Sequence, residues 1–188
     1  LKEAILLCSA RNGISVSFHH HLRNGDYVLN MVLEELANQN IKDLFVNASS
    51  LFDVHAPIIE HIKNNVVTGI SADYISLGIG KHLSRGILSS PVQFRTHGGR
   101  PLDISHGKTP IDIAFIAAPT ADKNGNITGK IGPSACGSLG YAFADALHAK
   151  KVVVITDNLI EGTLENPSIS GEHVDFVVKV DAIGNPAG

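Results

Sequence analysis

Ile111-Asp112-Ile113-Ala114-Phe115-Ile116-Ala117-Ala118-Pro119 is the stretch that decides the fold. Residues 111–118 are almost continuously apolar, with Asp112 the one charge. A strand with one wet face alternates apolar and polar side chains, because successive residues point to opposite faces. This one does not alternate, so both of its faces are covered, as in a parallel sheet that carries helices on each side. The rest of the chain agrees. Short apolar runs at 13–18, 41–46, 66–70, 91–96, 151–156 and 174–180 read as strands. Between them lie helical periods. Residues 27–39 place Val28, Met31, Val32 and Leu36 on one face, with Asp26 as the N-cap. Residues 54–63 turn Ile58, Ile59 and Ile62 inward, with Pro57 in the first turn. Helices are also expected at 77–88, despite three glycines, and at 139–149. Strands alternating with helices at this spacing give βαβ units with right-handed crossovers. The expected fold is α/β: an open, mostly parallel sheet with helices on both faces.

Composition narrows the function. The chain of 188 residues is 44% hydrophobic with a net charge of −3, which suits one folded core and excludes disorder. Fifteen basic residues against 18 acidic ones, with no basic run and no Trp, exclude a nucleic-acid surface. No apolar run approaches the roughly 20 residues of a membrane helix, so no membrane partner is expected. Cys8 and Cys136 form neither a disulfide framework nor a zinc spacing, which points to a reducing, cytoplasmic setting. Protonating all ten histidines would move the formal charge from −3 to +7, so the surface is sensitive to pH. Leu1 in place of Met, and the ending Asn185-Pro186-Ala187-Gly188, suggest a piece of something longer.

Open parallel sheets bind ligands beyond the carboxyl ends of their strands. Four loops fall there: 19–26, 96–110, 119–138 and 157–173. The first contains His19-His20-His21-Leu22-Arg23-Asn24-Gly25, whose imidazoles and guanidinium favour an anion. A metal reading of the histidines has no Asp, Glu or Cys at supporting spacing, so no metal is expected. In the second, Thr96-His97-Gly98-Gly99-Arg100, paired glycines allow close backbone approach and Arg100 can clasp a carboxylate with two parallel hydrogen bonds. A tight turn with a solvated Arg reads equally well there. In the third loop, Asp122-Lys123-Asn124-Gly125-Asn126 signals a small hairpin. The fourth set, Ser134-Ala135-Cys136-Gly137-Ser138, opens the last expected helix. Cys136 is either a thiol activated by a helix N-terminus or a small packing residue. No phosphate-binding or dinucleotide glycine fingerprint is present.

These residues carry a resemblance. The run Ser17–Val28, Val54-His55-Ala56-Pro57, Thr96-His97-Gly98-Gly99-Arg100, Cys136-Gly137-Ser138-Leu139-Gly140-Tyr141-Ala142 and Val180-Asp181-Ala182-Ile183-Gly184 are similar, in order, to the citrate lyase alpha chain family. A more distant likeness runs to family I coenzyme A transferases, where a Gly-rich loop replaces the histidines and residues 121–126 have a counterpart. The resemblance implies that 1–188 is an N-terminal transferase-like domain of a two-domain chain. It also implies a reaction, in which acetyl-carrier plus citrate gives citryl-carrier plus acetate. Implied partners are the beta and gamma (acyl carrier) subunits, in a homo- and hetero-oligomeric bacterial complex. The implied cofactor is a CoA-like prosthetic group on the carrier, with none held tightly by this chain. A catalytic Glu, if one is used, is expected outside these residues. The expected substrate contacts are His19, His20, His21, Arg23, Asn24, Gly25, Thr96, His97, Gly98, Gly99 and Arg100. Ser134, Ala135, Cys136, Gly137 and Ser138 are expected near the thioester. The competing readings are a non-catalytic domain binding an anion or sugar phosphate, and a metal-dependent hydrolase using the triple His.

Overall fold

A computed structural model of the chain describes residues 1–19 and 21–188. In chain order its strands are β1 (Ser15–His19), β2 (Leu44–Ala48), β3 (Ser50–Leu51), β4 (Val67–Ala72), β5 (Tyr74–Ile75), β6 (Gln93–Phe94), β7 (Ile113–Ala118), β8 (Thr120–Asp122), β9 (Ile127–Thr128), β10 (Lys151–Thr156), β11 (Leu159–Ile160) and β12 (Phe176–Lys179). The helices are α1 (Lys2–Leu7), α2 (Val28–Asn38), α3 (Ile58–Lys63), α4 (Leu77–Leu83), α5 (Gly99–Ser105) and α6 (Ala142–His148).

Seven strands form one sheet in the order β12-β10-β7-β1-β2-β4-β6, parallel throughout. β1 is central. The chain first builds outward through β2, β4 and β6, then crosses back to β7, β10 and β12 on the other side. That reversal puts a crevice at the carboxyl ends of β1 and its neighbours, where such sheets take ligands.

β7 shows why the apolar run was decisive. All six of its residues are buried. Ile113, Phe115 and Ala117 enter one core with Val16, Phe18 and the inner faces of α2 and α3. Ala114, Ile116 and Ala118 enter the other, beneath Ile104 of α5 and Ala142 and Ala146 of α6. The Phe18 and Phe115 rings stack with centroids 5.6 Å apart. α2 buries Val28, Leu29, Val32, Leu33 and Leu36, one helical stripe. Asp26 caps it, its carboxylate accepting from the backbone N–H of Val28 at 3.3 Å and of Leu29 at 3.2 Å.

Several expected elements are shorter. The 54–63 helix is a 3-10 turn at Asp53–His55 followed by α3, because Pro57 sits at the N-cap of the true helix. α4 ends at Leu83, shortly before Gly86 at φ +77°. β6 keeps two residues of the run at 91–96 as an edge strand, and Pro91 has no N–H to donate. α6 begins at Ala142 rather than at 139, after Gly137 and Gly140 adopt positive φ. α5 lies in a stretch read as loop. Its Gly-Gly start and Pro101 look like breakers, yet Pro101 occupies the first turn, where no intrahelical N–H is required. The hairpin at 122–126 is present: β8 and β9 pair antiparallel around Gly125 at φ +86°. No helix among the described residues is long and apolar enough to cross a membrane.

Candidate functional site

The carboxyl edge of the sheet holds a cavity of about 450 Å3, inside the roughly 300–1,000 Å3 range of small-molecule sites. Each wall is delivered by the end of an element. β1 ends on His19, and the following 3-10 turn carries Arg23. β2 runs into Ser49, Ser50 and Phe52. His97 follows β6 at the sheet edge, and Gly140 and Tyr141 lead into α6. No carboxylate lines this cavity among the described residues, while Arg23 and two imidazoles do. Such a lining favours an anion.

The aromatic rings fix one another. The Tyr141 ring lies edge-on to His97 with centroids 4.6 Å apart, and edge-on to His19 at 6.4 Å. His19 in turn meets His21 edge-on at 4.8 Å. The Arg23 guanidinium carbon is 5.9 Å from the Phe52 ring centroid. Arg23 also has φ +54°, a left-handed conformation uncommon for a side chain of this size. His97 is tied at its base: Nδ1 is 2.9 Å from Oδ2 of Asp73, the residue just after β4. Burial pushes the Asp73 carboxyl above its usual range, against the lowering effects of the His97 hydrogen bond and the Arg100 and His97 charges.

Behind this edge the first loop is locked. The Phe52 N–H donates to Nδ1 of His55 at 3.0 Å, so Nε2 carries the ring proton and donates to Asp26 Oδ2 at 3.1 Å. His55 is fully buried. Asn24 Oδ1 accepts from the Val54 N–H at 3.1 Å, and Asn30 donates to the Val54 carbonyl at 2.8 Å. Asp26 therefore starts α2 and holds the loop carrying Arg23 against the turn carrying Phe52.

The structure separates the expected contacts. His19, Arg23 and His97 line the cavity, and His21 stands behind His19. His20 lies outside the described residues. Asn24 is engaged by Val54, and Gly25 is buried so tightly under Asn185 that a Cβ would come within 2.0 Å of the Asn185 carbonyl oxygen. Thr96 Oγ1 accepts from the Gly99 N–H at 3.0 Å, so the glycine pair serves the start of α5 rather than an open anion nest. Gly98 is exposed beside it.

Arg100 is the main correction. It clasps a carboxylate as its type suggests, but the carboxylate is internal. Its two terminal nitrogens lie 3.0 and 2.8 Å from the two oxygens of Asp145, and one donates to Ser17 Oγ at 2.6 Å. Ser17 completes the triangle by donating to Asp145. The Arg100 side chain is 5% exposed and the Asp145 side chain 1%, so the group ties α5, α6 and β1 together beneath the sheet and does not reach the cavity. Ser134 likewise donates inward, to Asp157 at 2.5 Å. Ser138 accepts from the Gly140 N–H at 3.2 Å, and Ala135 and Gly137 are exposed. Burial pushes the Cys136 thiol up, the opposite of an activated nucleophile, and the residues that follow it form a turn and not the first turn of a helix. Asp73, Ser49, Ser50 and Phe52 were not singled out by the sequence reading. The available signal for Asp73 was its place at a strand's carboxyl end, hidden because the strand was expected to stop at 70.

A family profile described as "Citrate lyase, alpha subunit (CitF)" matches residues 1–188. The chain belongs to the citrate lyase alpha subunit family. It is 44% identical over 186 residues to the citrate lyase alpha chain of Haemophilus influenzae, covering 99% of this chain and 37% of that one. A crystal structure described as the alpha subunit of citrate lyase from Streptococcus mutans in complex with citrate superposes with a TM-score of 0.96 at 46% identity, covering 98% of this chain and 36% of that one. The chain thus spans under two-fifths of the length of these citrate lyase alpha relatives. At the level of fold alone it matches glutaconate coenzyme A-transferase from Acidaminococcus fermentans, with a TM-score of 0.70, 15% identity, 95% of this chain and 74% of that one. The α/β fold is therefore of the coenzyme A-transferase type.

Proposed function

We propose that this citrate lyase alpha family chain contributes the anion-holding half of an acyl-exchange site, converting acetyl-carrier protein and citrate to citryl-carrier protein and acetate. The observation that carries the reading is the lining of the carboxyl-edge cavity: Arg23, His19 and His97 with no carboxylate among them. Citrate is a trianion at neutral pH, and a cavity built this way suits it electrostatically. The S. mutans relative crystallised with citrate supports the same ligand class.

The chemistry requires such a lining twice. A carboxylate oxygen attacks the carbonyl carbon of the acetyl thioester, and a tetrahedral oxyanion forms before the carrier thiolate leaves. If the carboxylate is citrate's own, the thiolate then attacks the citryl carbonyl of the mixed anhydride and acetate departs. If it is a Glu, the thiolate attacks the glutamyl carbonyl, acetate departs, and citrate repeats the same two attacks on the glutamyl thioester, so that atoms and charge balance on either route. Whether the first carboxylate belongs to citrate or to a Glu outside these residues, each step passes through an oxyanion. Donors already in place at that position stabilise it without reorganising during the reaction. Arg23 and the imidazoles of His19 and His97 are those donors in this chain. The CoA-like group arrives as part of the carrier substrate, and the beta and gamma subunits are the partners of this reading. It also fits a reducing cytoplasm, in which Cys8 and Cys136 stay thiols.

The test is an exchange assay on the complete native protein with its carrier, measuring labelled acetate released on adding citrate. Arg23→Ala is expected to lower citrate-dependent exchange at least tenfold. Unchanged exchange overturns the reading. Citrate binding without exchange in the unmodified protein favours a non-catalytic anion-binding domain instead.

A further inference from the structure

Asp73 belongs to no motif singled out in the sequence, and the acyl-exchange reading gives it no role. Its side chain is 8% exposed although it stands at the cavity's edge. Oδ2 lies 2.9 Å from His97 Nδ1, while Oδ1 is buried without a hydrogen-bond partner. Burying a carboxylate with an unfilled oxygen is costly, and a site that serves only stability tends to avoid it. The backbone around it is held firmly. The Asp73 N–H donates to the carbonyl of Ser49, a cavity residue, at 3.1 Å. His97 is the opposite, 66% exposed, with its ring nearly perpendicular to that of Tyr141.

We propose that Asp73 is a positioning residue that makes His97 a directed hydrogen-bonding group of the cavity, with Nε2 presented to the carboxylate or developing oxyanion of the acyl substrate. With Nδ1 committed to Asp73, Nε2 is the ring nitrogen left to meet a ligand. The pairing keeps a proton on Nδ1 and limits ring rotation, and the Asp73 carboxylate compensates the imidazolium, the form in which Nε2 also carries a proton and donates it to an anion. The Tyr141 ring packs against the His97 ring with centroids 4.6 Å apart. The assignment of Nε2 to the acyl substrate rests on the proposed function, whereas the Asp73–His97 coupling stands apart from it.

The experiment uses the complete native protein and the variants Asp73→Asn, Asp73→Glu, His97→Gln and the double variant Asp73→Asn/His97→Gln. Nitrogen-15 NMR of the His97 ring reads the tautomer, citrate titration reads affinity, and exchange with the carrier reads kcat and KM. Asp73→Asn is expected to shift the His97 Nδ1 signal and to lower kcat/KM for exchange by about tenfold to a hundredfold, as loss of a charged hydrogen bond does. Asp73→Glu is expected to recover part of that loss, and the double variant to be no worse than His97→Gln alone. Overturning results are an unchanged ring signal in Asp73→Asn, losses that multiply in the double variant, or equal losses in Asp73→Asn and Asp73→Glu with an unperturbed ring. If the unmodified protein binds citrate but exchanges nothing, the function reading fails, while the ring signal and citrate affinity of the same variants still decide the coupling.

Discussion

Arg23 and Arg100 make the most instructive comparison in the molecule. Both follow strands on the ligand-binding edge, both have a glycine within two residues, and residue type suits both to a carboxylate. One is exposed at a cavity with no acid in its lining among the described residues. The other is sealed beneath the sheet with Ser17 and Asp145. The difference lies in a partner that local sequence does not show, since Asp145 is 45 residues downstream of Arg100 on another helix. A buried guanidinium must be neutralised where it lies, and both terminal nitrogens of this one are already taken by Asp145 and Ser17. An exposed one carries no such obligation and stays available to ligand.

The comparison can be broken most forcefully at the buried end. Arg100→Ala leaves the Asp145 carboxylate desolvated and uncompensated, and should cost about 3–5 kcal/mol of stability in denaturant unfolding. Arg23→Ala should change stability by no more than about 0.5 kcal/mol. Equal losses at the two positions would erase the distinction. A smaller effect is expected at the Asp26–His55 pair, which holds the Arg23 loop without touching the cavity. Asp26→Ala removes the cap of α2 and the partner of His55, and should cost about 1–3 kcal/mol, measured the same way. No loss there would mean that the loop is held by Asn24 and the backbone alone.

A pH experiment sharpens the same contrast. Burial raises the Asp122 pKa, but hydrogen bonds from the Asn126 side chain and the backbone of Leu164, Asn126 and Asn124 outweigh it and hold the carboxyl below its usual 3.8. Asp112 is also lowered, by Lys150 and the Ser15 N–H against the effect of burial. A depressed folded pKa contributes stability that is present above the unfolded value and lost as pH falls through the folded one. The protein should therefore lose stability progressively below about pH 4, and Asp122→Asn should flatten that acid limb. An acid limb as steep in the variant as in the parent would remove Asp122 from the account.

Much of the fold was legible because burial on both faces leaves a mark in sequence. The apolar run over β7, the stripe of α2 and the hairpin at Asp122 all depend on neighbours a few residues away. What was missed depends on distant ones. α5 starts with Gly-Gly-Arg-Pro, which local propensity assigns to a loop, and it is helical because Ile104 and Arg100 are buried against α6 and β1. At the cavity, the placement of His19, Arg23 and His97 was legible from residue type at strand ends. The orientation of Arg100 was not, and neither was Asp73, whose role depends on a histidine 24 residues away.

The central claim is that a carboxylate ligand is held by the open cations of the sheet edge and not by the buried arginine. Calorimetric titration of citrate into the complete native protein and its folded Arg23→Ala variant tests it most directly. The account predicts that affinity falls at least tenfold in Arg23→Ala while the unfolding midpoint stays in place. Undiminished citrate affinity in that variant would contradict it.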